Sequence, residues 1–211
     1  MNKKKLIRKF NKQAATYERN SRQRTLGTWR SRLLQDVQGK VLEVAVGAGA
    51  NFPYYNRDTV ELTAVDFSPE MLNSARRMAA GLNLNVSFHE QDIEKLELTE
   101  NSFDCVVSTL SLCGYDDPVA VLNQMNRWCR PGGGIYLLEH GISHNKLLGL
   151  TQHIVNPAAR LISGCHFNRD MLQIVHDSDV EVVKTERFWG GMIHLIWARA
   201  VHLEKGAVPG R

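Results

Sequence analysis

The stretch Val41-Leu42-Glu43-Val44-Ala45-Val46-Gly47-Ala48-Gly49-Ala50-Asn51, followed by Leu62-Thr63-Ala64-Val65-Asp66, decides the fold. An apolar run of strand type enters a turn of small residues, and a second run ends on a carboxylate. Glycine at 47 and 49 lets backbone approach a ligand where a Cβ would collide, and a helix after the turn would offer unpaired N–H groups to an anionic group. Asp66, one strand over, can accept hydrogen bonds from both hydroxyls of a ribose. These features together predict a nucleoside pocket at the carboxyl edge of a parallel sheet.

The residues after the second glycine discriminate between nucleosides. A dinucleotide requires G-x-G-x-x-G, because its third small residue lets helix pack on strand. Phe52 stands where that glycine should fall. The acidic-x-small-x-Gly-x-Gly pattern of Glu43, Ala45, Gly47 and Gly49 instead resembles the first motif of class I S-adenosylmethionine (SAM) methyltransferases. Asp66-Phe67 matches the acidic residue that holds the ribose in that family. Gln91-Asp92-Ile93 resembles its adenine-side motif, in which a carboxylate contacts the exocyclic amine and an apolar residue lies against the ring. Ser102 to Ser108 resembles the fourth strand, and Arg130-Pro131-Gly132-Gly133-Gly134 the turn before the fifth. The resemblance implies S-adenosylmethionine as cofactor, with Glu43, Ala45, Gly47, Gly49, Asp66, Phe67, Asp92, Ile93 and Ser108 as its binding residues. One departure is Ala45, where the family has glycine; a small residue is compatible with a turn that keeps φ negative.

Segments beyond this core resemble a narrower branch. Glu139-His140-Gly141, Gln152, Asn156-Pro157 and Gly164-Cys165-His166-x-x-Arg169-Asp170 are similar to enzymes near the quinone-biosynthesis C-methyltransferases, phospholipid N-methyltransferases and microsomal thiol S-methyltransferases. Phe10, Ala14 and Tyr17 resemble the F-x-x-x-A-x-x-Y element of that branch, whose tyrosine approaches the cofactor, so Tyr17 joins the expected cofactor residues. Methyl transfer from a sulfonium is an in-line displacement that asks the protein to align groups and exclude water. A base is needed only if the acceptor arrives protonated. His140 and His166 are the candidates, since imidazole titrates near neutrality, and a structural hydrogen-bonding role competes for each.

The acceptor is narrowed by what is missing. Ser108-Thr109-Leu110-Ser111 replaces the Asn-Pro-Pro-Tyr type of segment of amino-methylating DNA enzymes, and it lacks the carboxylates of the metal-dependent catechol O-methyltransferases. The expected reaction is methyl transfer to a small, lipophilic acceptor without metal. Two other classes stay open: a catalytically silent SAM-binding regulatory protein, which Ala45 keeps in play, and a nucleotide-dependent oxidoreductase, disfavoured by Phe52. Cys105, Cys113, Cys129 and Cys165 form no C-x-x-C pair, so neither a zinc site nor a disulfide framework is expected.

Composition agrees. A chain of 211 residues with 43% hydrophobic content fits one globular domain. No apolar run approaches the roughly 20 residues that cross a bilayer, and no signal-peptide h-region opens the chain, so the expected compartment is the cytoplasm. Residues 1–32 carry eleven Lys and Arg against Glu18 alone, a net of +10, while the remainder is −6. Leu6, Phe10, Ala14 and Tyr17 share one helical face. Such a helix either packs that stripe on its own domain, the favoured reading, or lies on an anionic membrane. Nucleic acid is poorly supported, because no aromatic interleaving accompanies the basic run.

The predicted fold is α/β, a Rossmann-like doubly wound sheet of about seven strands, mostly parallel with an antiparallel last strand. Its expected parts are basic N-terminal helices at 1–38, a SAM-binding core at 39–140, a helical cover over the substrate site at 141–179, final strands at 180–203 and a frayed tail at 204–211. Leu147, Leu148, Leu150, Ile154, Leu161 and Ile162 predict that the cover is apolar, and with Phe188, Trp189 and Trp197 they suggest a lipophilic pocket.

Overall fold

The computed structural model describes residues 3–20 and 24–202; the tail at 204–211 lies outside the described residues. Seven strands form one sheet: β1 (Gly39–Val44), β2 (Val60–Asp66), β3 (Val86–Glu90), β4 (Phe103–Thr109), β5 (Cys129–His140), β6 (Glu181–Phe188) and β7 (Ile193–Arg199). Their order is β3-β2-β1-β4-β5-β7-β6. Only β7 runs antiparallel to its neighbours, β5 and β6. The strand order reverses between the parallel neighbours β1 and β4, so the connections leaving their carboxyl ends run to opposite faces of the sheet and open a crevice there.

Alternation along the strands divides the core into two layers. Leu42, Val44, Val106, Ile135 and Leu137 point to α4 (Pro118–Trp128) and α6 (Met171–His176). Val41, Leu62, Ala64, Val107 and Leu138 point to α2 (Arg24–Leu34) and α3 (Pro69–Leu82). Burial on both faces requires the near-continuous apolar strands seen here, each buried Leu, Ile or Val contributing about 1.5–3 kcal/mol. α3 begins with the Ser68 hydroxyl accepting the Met71 amide and Pro69 in the first turn.

Helix α1 (Lys3–Asn20) lies along the carboxyl edge and packs its stripe on its own domain. Phe10 and Ala14 meet Ala48 and Met71. Asn11 Oδ1 accepts the Ser68 hydroxyl at 2.6 Å, and Glu18 pairs with Arg77 at 2.8 Å.

Two local expectations are corrected. No α-helix follows the glycine turn; a single 3-10 turn, Phe52–Tyr54, takes its place. Asn51 Nδ2 and the Tyr55 hydroxyl both donate to the Glu43 carboxylate, which draws the chain back to the sheet instead of along a helix axis. The glycine-rich turn expected before the fifth strand is a bulge within it, the register with β4 jumping from Phe103–Cys129 to Cys105–Gly134. Among the described residues no helix is long and apolar enough to cross a membrane.

Candidate cofactor and acceptor site

A cavity of about 410 Å³ opens over the carboxyl edge, in the size range of pockets for cofactor-sized ligands. Its floor is the turn after β1 together with Asp66; α1 forms one side, and the segment closing α5 (Lys146–Ser163) forms the other. Asp66 is almost fully buried. Its Oδ2 accepts the Gly47 amide at 2.9 Å and its Oδ1 the Ser68 amide at 2.8 Å. These two hydrogen bonds fix the orientation of the carboxylate at the cavity floor.

The turn itself is left-handed at three points: Ala45 at φ +50°, Gly47 at +56° and Gly49 at +80°. The expectation that Ala45 keeps φ negative is therefore corrected. Its methyl group sits in a region that L-residues enter at a cost of about 1–2 kcal/mol. A Cβ at Gly47 would meet nothing within 4 Å, so the space above it is available to a ligand. Gly49 serves packing instead, since a Cβ there would lie 2.8 Å from the Phe52 ring.

Beneath the turn runs a buried polar network. The Arg30 guanidinium donates to Asn51 Oδ1 and, at 2.9 Å, to the Thr109 hydroxyl. Glu43 accepts from Asn51 at 2.9 Å and from Tyr55 at 2.8 Å. Burial pushes the Glu43 carboxyl up to about 7, against the pull of the Tyr55 hydrogen bond and the Arg30 charge. Glu43 does not line the cavity; it braces the turn from below.

The far wall is organised by Glu139. Its fully buried carboxylate accepts the Ser108 hydroxyl at 2.9 Å and the amides of Ser111 and Leu112 at 3.0 and 3.3 Å. Burial also pushes this carboxyl up to about 7, opposed chiefly by the Ser111 amide. The Gly164–Arg169 loop is fastened to the same wall: His166 N donates to Cys113 O at 3.0 Å, and Arg169 donates to Leu112 O and Tyr115 O, both at 2.7 Å. Ligand-type atoms of Cys113, His140 and Cys165 lie within 4.8 Å of one another.

Of the residues singled out in the sequence, Tyr17, Ala45, Gly47, Asp66, Phe67 and His166 line the cavity. Glu43, Gly49, Asp92, Ile93, Ser108 and His140 do not. Asp92 caps the 3-10 turn Ile93–Lys95 and Ile93 enters the core, while Glu94 reaches the cavity wall in their stead. Ser108 supports Glu139, and His140 stacks on Phe167 with centroids 4.8 Å apart. Burial, followed by Arg169 and Arg160, lowers the His166 pKa, so that imidazole is neutral at physiological pH and competent to accept a proton. Tyr17 lies near Phe10, whose ring meets Phe67 edge-on at 5.4 Å, and burial pushes its hydroxyl up to about 12. Sequence reasoning missed Arg30, Glu94, Thr109 and Tyr115 on the cavity wall.

The apolar cover is also corrected. α5 is held by polar contacts, Gln152 accepting the Ser143 amide at 2.7 Å and donating to Gly141 O and Phe167 O, and Asn156 Oδ1 accepting the Phe167 amide at 2.8 Å. Its apolar side chains point outward: Leu147, Ile154, Leu161 and Ile162 are each 70–78% exposed, and none of them lines the cavity. Phe188 and Trp189 pack on Trp29, at 5.0 and 4.9 Å, away from the cavity.

Residues 41–133 match the profile of a methyltransferase domain family. The yeast (Saccharomyces cerevisiae) mitochondrial methyltransferase OMS1 is 30% identical over 77% of this chain and 38% of its own length. The ubiquinone/menaquinone biosynthesis C-methyltransferase UbiE of Bdellovibrio bacteriovorus is 32% identical over 63% of this chain and 60% of its own. The chain thus spans less than two thirds of the length of these relatives. In fold, it resembles a SAM-dependent methyltransferase of Aquifex aeolicus with a TM-score of 0.64 at 17% identity, over 90% of this chain and 98% of the other.

Proposed function

The chain carries a methyltransferase domain of the class I, SAM-dependent fold, and from that premise we propose that it transfers a methyl group to a small lipophilic acceptor, a quinone, lipid head group or thiol. S-adenosylmethionine is the cofactor of this domain, and when bound it supplies an electrophilic methyl group on sulfur. The carrying observation is the Asp66–Gly47 pairing at the floor of a cavity of about 410 Å³. In this reading Asp66 receives the sugar hydroxyls, Gly47 and Ala45 form the floor under the amino-acid end, and Glu94 and Phe67 flank the base.

On the acceptor side, Tyr17 and the Gly164–His166 loop close the cavity. They orient the incoming nucleophile and exclude water, the two contributions an in-line displacement asks of a protein. His166 is the base for any acceptor that arrives protonated, since it is neutral near pH 7 and lines the cavity, unlike His140.

The lipophilic character of the acceptor is supported from outside the cavity. The outward face of α5 carries Leu147, Leu150, Ile154, Leu161 and Ile162, and Lys9 of α1 reaches Leu161 O at 3.0 Å. A basic helix beside an exposed apolar one is suited to an anionic bilayer surface, each nearby Lys or Arg contributing on the order of 1 kcal/mol. The cavity lies between these two helices, where an acceptor dissolved in the bilayer would enter. On this reading the protein works in peripheral contact with an anionic membrane. A labelled-methyl screen against quinols, thiols, phospholipids and amines tests the assignment. Transfer to the lipophilic members supports it, and transfer only to water-soluble amines, or to none, contradicts it.

A further inference from the structure

Three soft-metal ligands that are far apart in sequence converge beside the cavity. Cys113 follows β4, His140 ends β5 and Cys165 follows α5, and one ligand atom from each lies within 4.8 Å of the other two. A tetrahedral zinc ion with bonds of about 2.3 Å to sulfur and about 2.0 Å to nitrogen holds its ligand atoms about 3.5–3.8 Å apart. Side-chain rotation of an ångström or less therefore suffices to close the set on an ion.

The supports of all three ligands are rigid and shared. Cys113 sits in the 3-10 turn Leu112–Gly114, whose leading amides are held by Glu139, the residue preceding His140. Cys165 belongs to the loop that His166 N and Arg169 fasten to Cys113 O, Leu112 O and Tyr115 O. The His140 ring is fixed by stacking on Phe167, and its Nδ1 is buried with no hydrogen-bond partner. A buried orphan nitrogen costs about 1–3 kcal/mol unless something pairs with it. Ligands locked in place by hydrogen bonds and packing are the mark of a metal site whose outer shell is already built.

We propose that Cys113, His140 and Cys165 form a binding site for a zinc-class divalent cation at the acceptor wall of the cavity. Two thiolates and an imidazole match the ligand preference of zinc and exclude magnesium and calcium, which take oxygen. Three protein ligands leave a fourth position for water or an incoming group, as in catalytic zinc sites and unlike the closed four-ligand structural ones. Cys165 lines the cavity, which puts the ion at the end of the pocket where the acceptor resides. The inference concerns metal binding alone and stands whether or not the acceptor class above is correct.

The test is titration of the whole chain, reduced and metal-stripped, with cobalt(II) under anaerobic conditions, followed by displacement with zinc. One equivalent should generate the sulfur-to-cobalt charge-transfer band and the intense visible bands of tetrahedral thiolate ligation, and zinc should abolish both. Cys113→Ser and Cys165→Ser should each lower the charge-transfer intensity, the double variant should remove it, and His140→Gln should weaken binding while keeping that band. Circular dichroism of each variant checks that it is folded. A folded wild-type protein that gives no tetrahedral cobalt spectrum overturns the proposal. So does a spectrum that survives the double variant.

Discussion

The Asp66 carboxylate accepts the Gly47 amide across the gap between β2 and β1 at 2.9 Å, so the group assigned to the sugar also braces the glycine turn. Its other oxygen holds Ser68, the N-cap of α3. Binding and architecture are thus joined in one side chain. Asp66→Ala should lower stability by about 1–3 kcal/mol, the usual cost of stranding buried donors, or roughly 2–12 °C in melting temperature for a chain of this size. Differential scanning calorimetry of the ligand-free proteins measures it, and an unchanged melting temperature would refute the bracing role.

Ala45 offers a test of the opposite sign. Its φ of +50° is a conformation glycine adopts without steric cost. Ala45→Gly should stabilise the protein by about 1 kcal/mol, the reverse of the penalty for alanine at positive φ. Urea denaturation should show a higher midpoint with an unchanged slope. A lower midpoint would mean that the methyl group packs better than the backbone strain suggests.

Buried Glu139 makes a pH prediction. Its carboxyl titrates near the ordinary value of about 4.3 when unfolded and near 7 when folded. Between those values the folded state binds more protons, so this group's contribution is fullest below the unfolded value and is lost as pH rises through the folded one. Glu43 is shifted the same way and titrates in the same window. Glu139→Gln should therefore gain stability relative to wild type between about pH 4 and 7. Melting curves across that range for both proteins check the sign; parallel curves would show that the Glu139 carboxyl is not shifted.

Much of this architecture is written locally in the chain. Ser68-Pro69 marks the start of α3 because an N-cap hydroxyl and a proline act on their immediate neighbours. The apolar strands likewise obey patterns carried within each segment, whereas the antiparallel orientation of β7 is a matter of pairing with β5 and β6 and is expected from the family resemblance. What eluded the sequence depends on distance. Arg30 sits in an amphipathic helix with no motif around it, and its partners Asn51 and Thr109 come from two other segments. The outward face of α5 is illegible in the sequence because apolar spacing shows that a stripe exists but not which way it faces; the polar anchors Gln152 and Asn156 set that. Cys113, His140 and Cys165 share no short spacing, so only the sheet edge reveals them as neighbours.

That outward face is open to direct test. Ile154→Glu with Leu161→Glu replaces two exposed side chains that touch neither the core nor the cavity. Flotation with phosphatidylglycerol-rich vesicles should recover the wild-type protein and lose most of the double variant, with affinity for SAM retained. Equal recovery would exclude α5 as the membrane face.

The central claim is that the cavity over the β1 turn holds SAM by its sugar on Asp66. Isothermal titration calorimetry of SAM into the wild-type protein and into Asp66→Asn measures this most directly, because the amide keeps the side chain's shape and removes its charge. Saturable heat with one site in the wild type, and at least about a tenfold weaker dissociation constant in the variant, equal to about 1.4 kcal/mol, is the predicted result. No heat with the wild-type protein, or the same constant for both, would contradict the account.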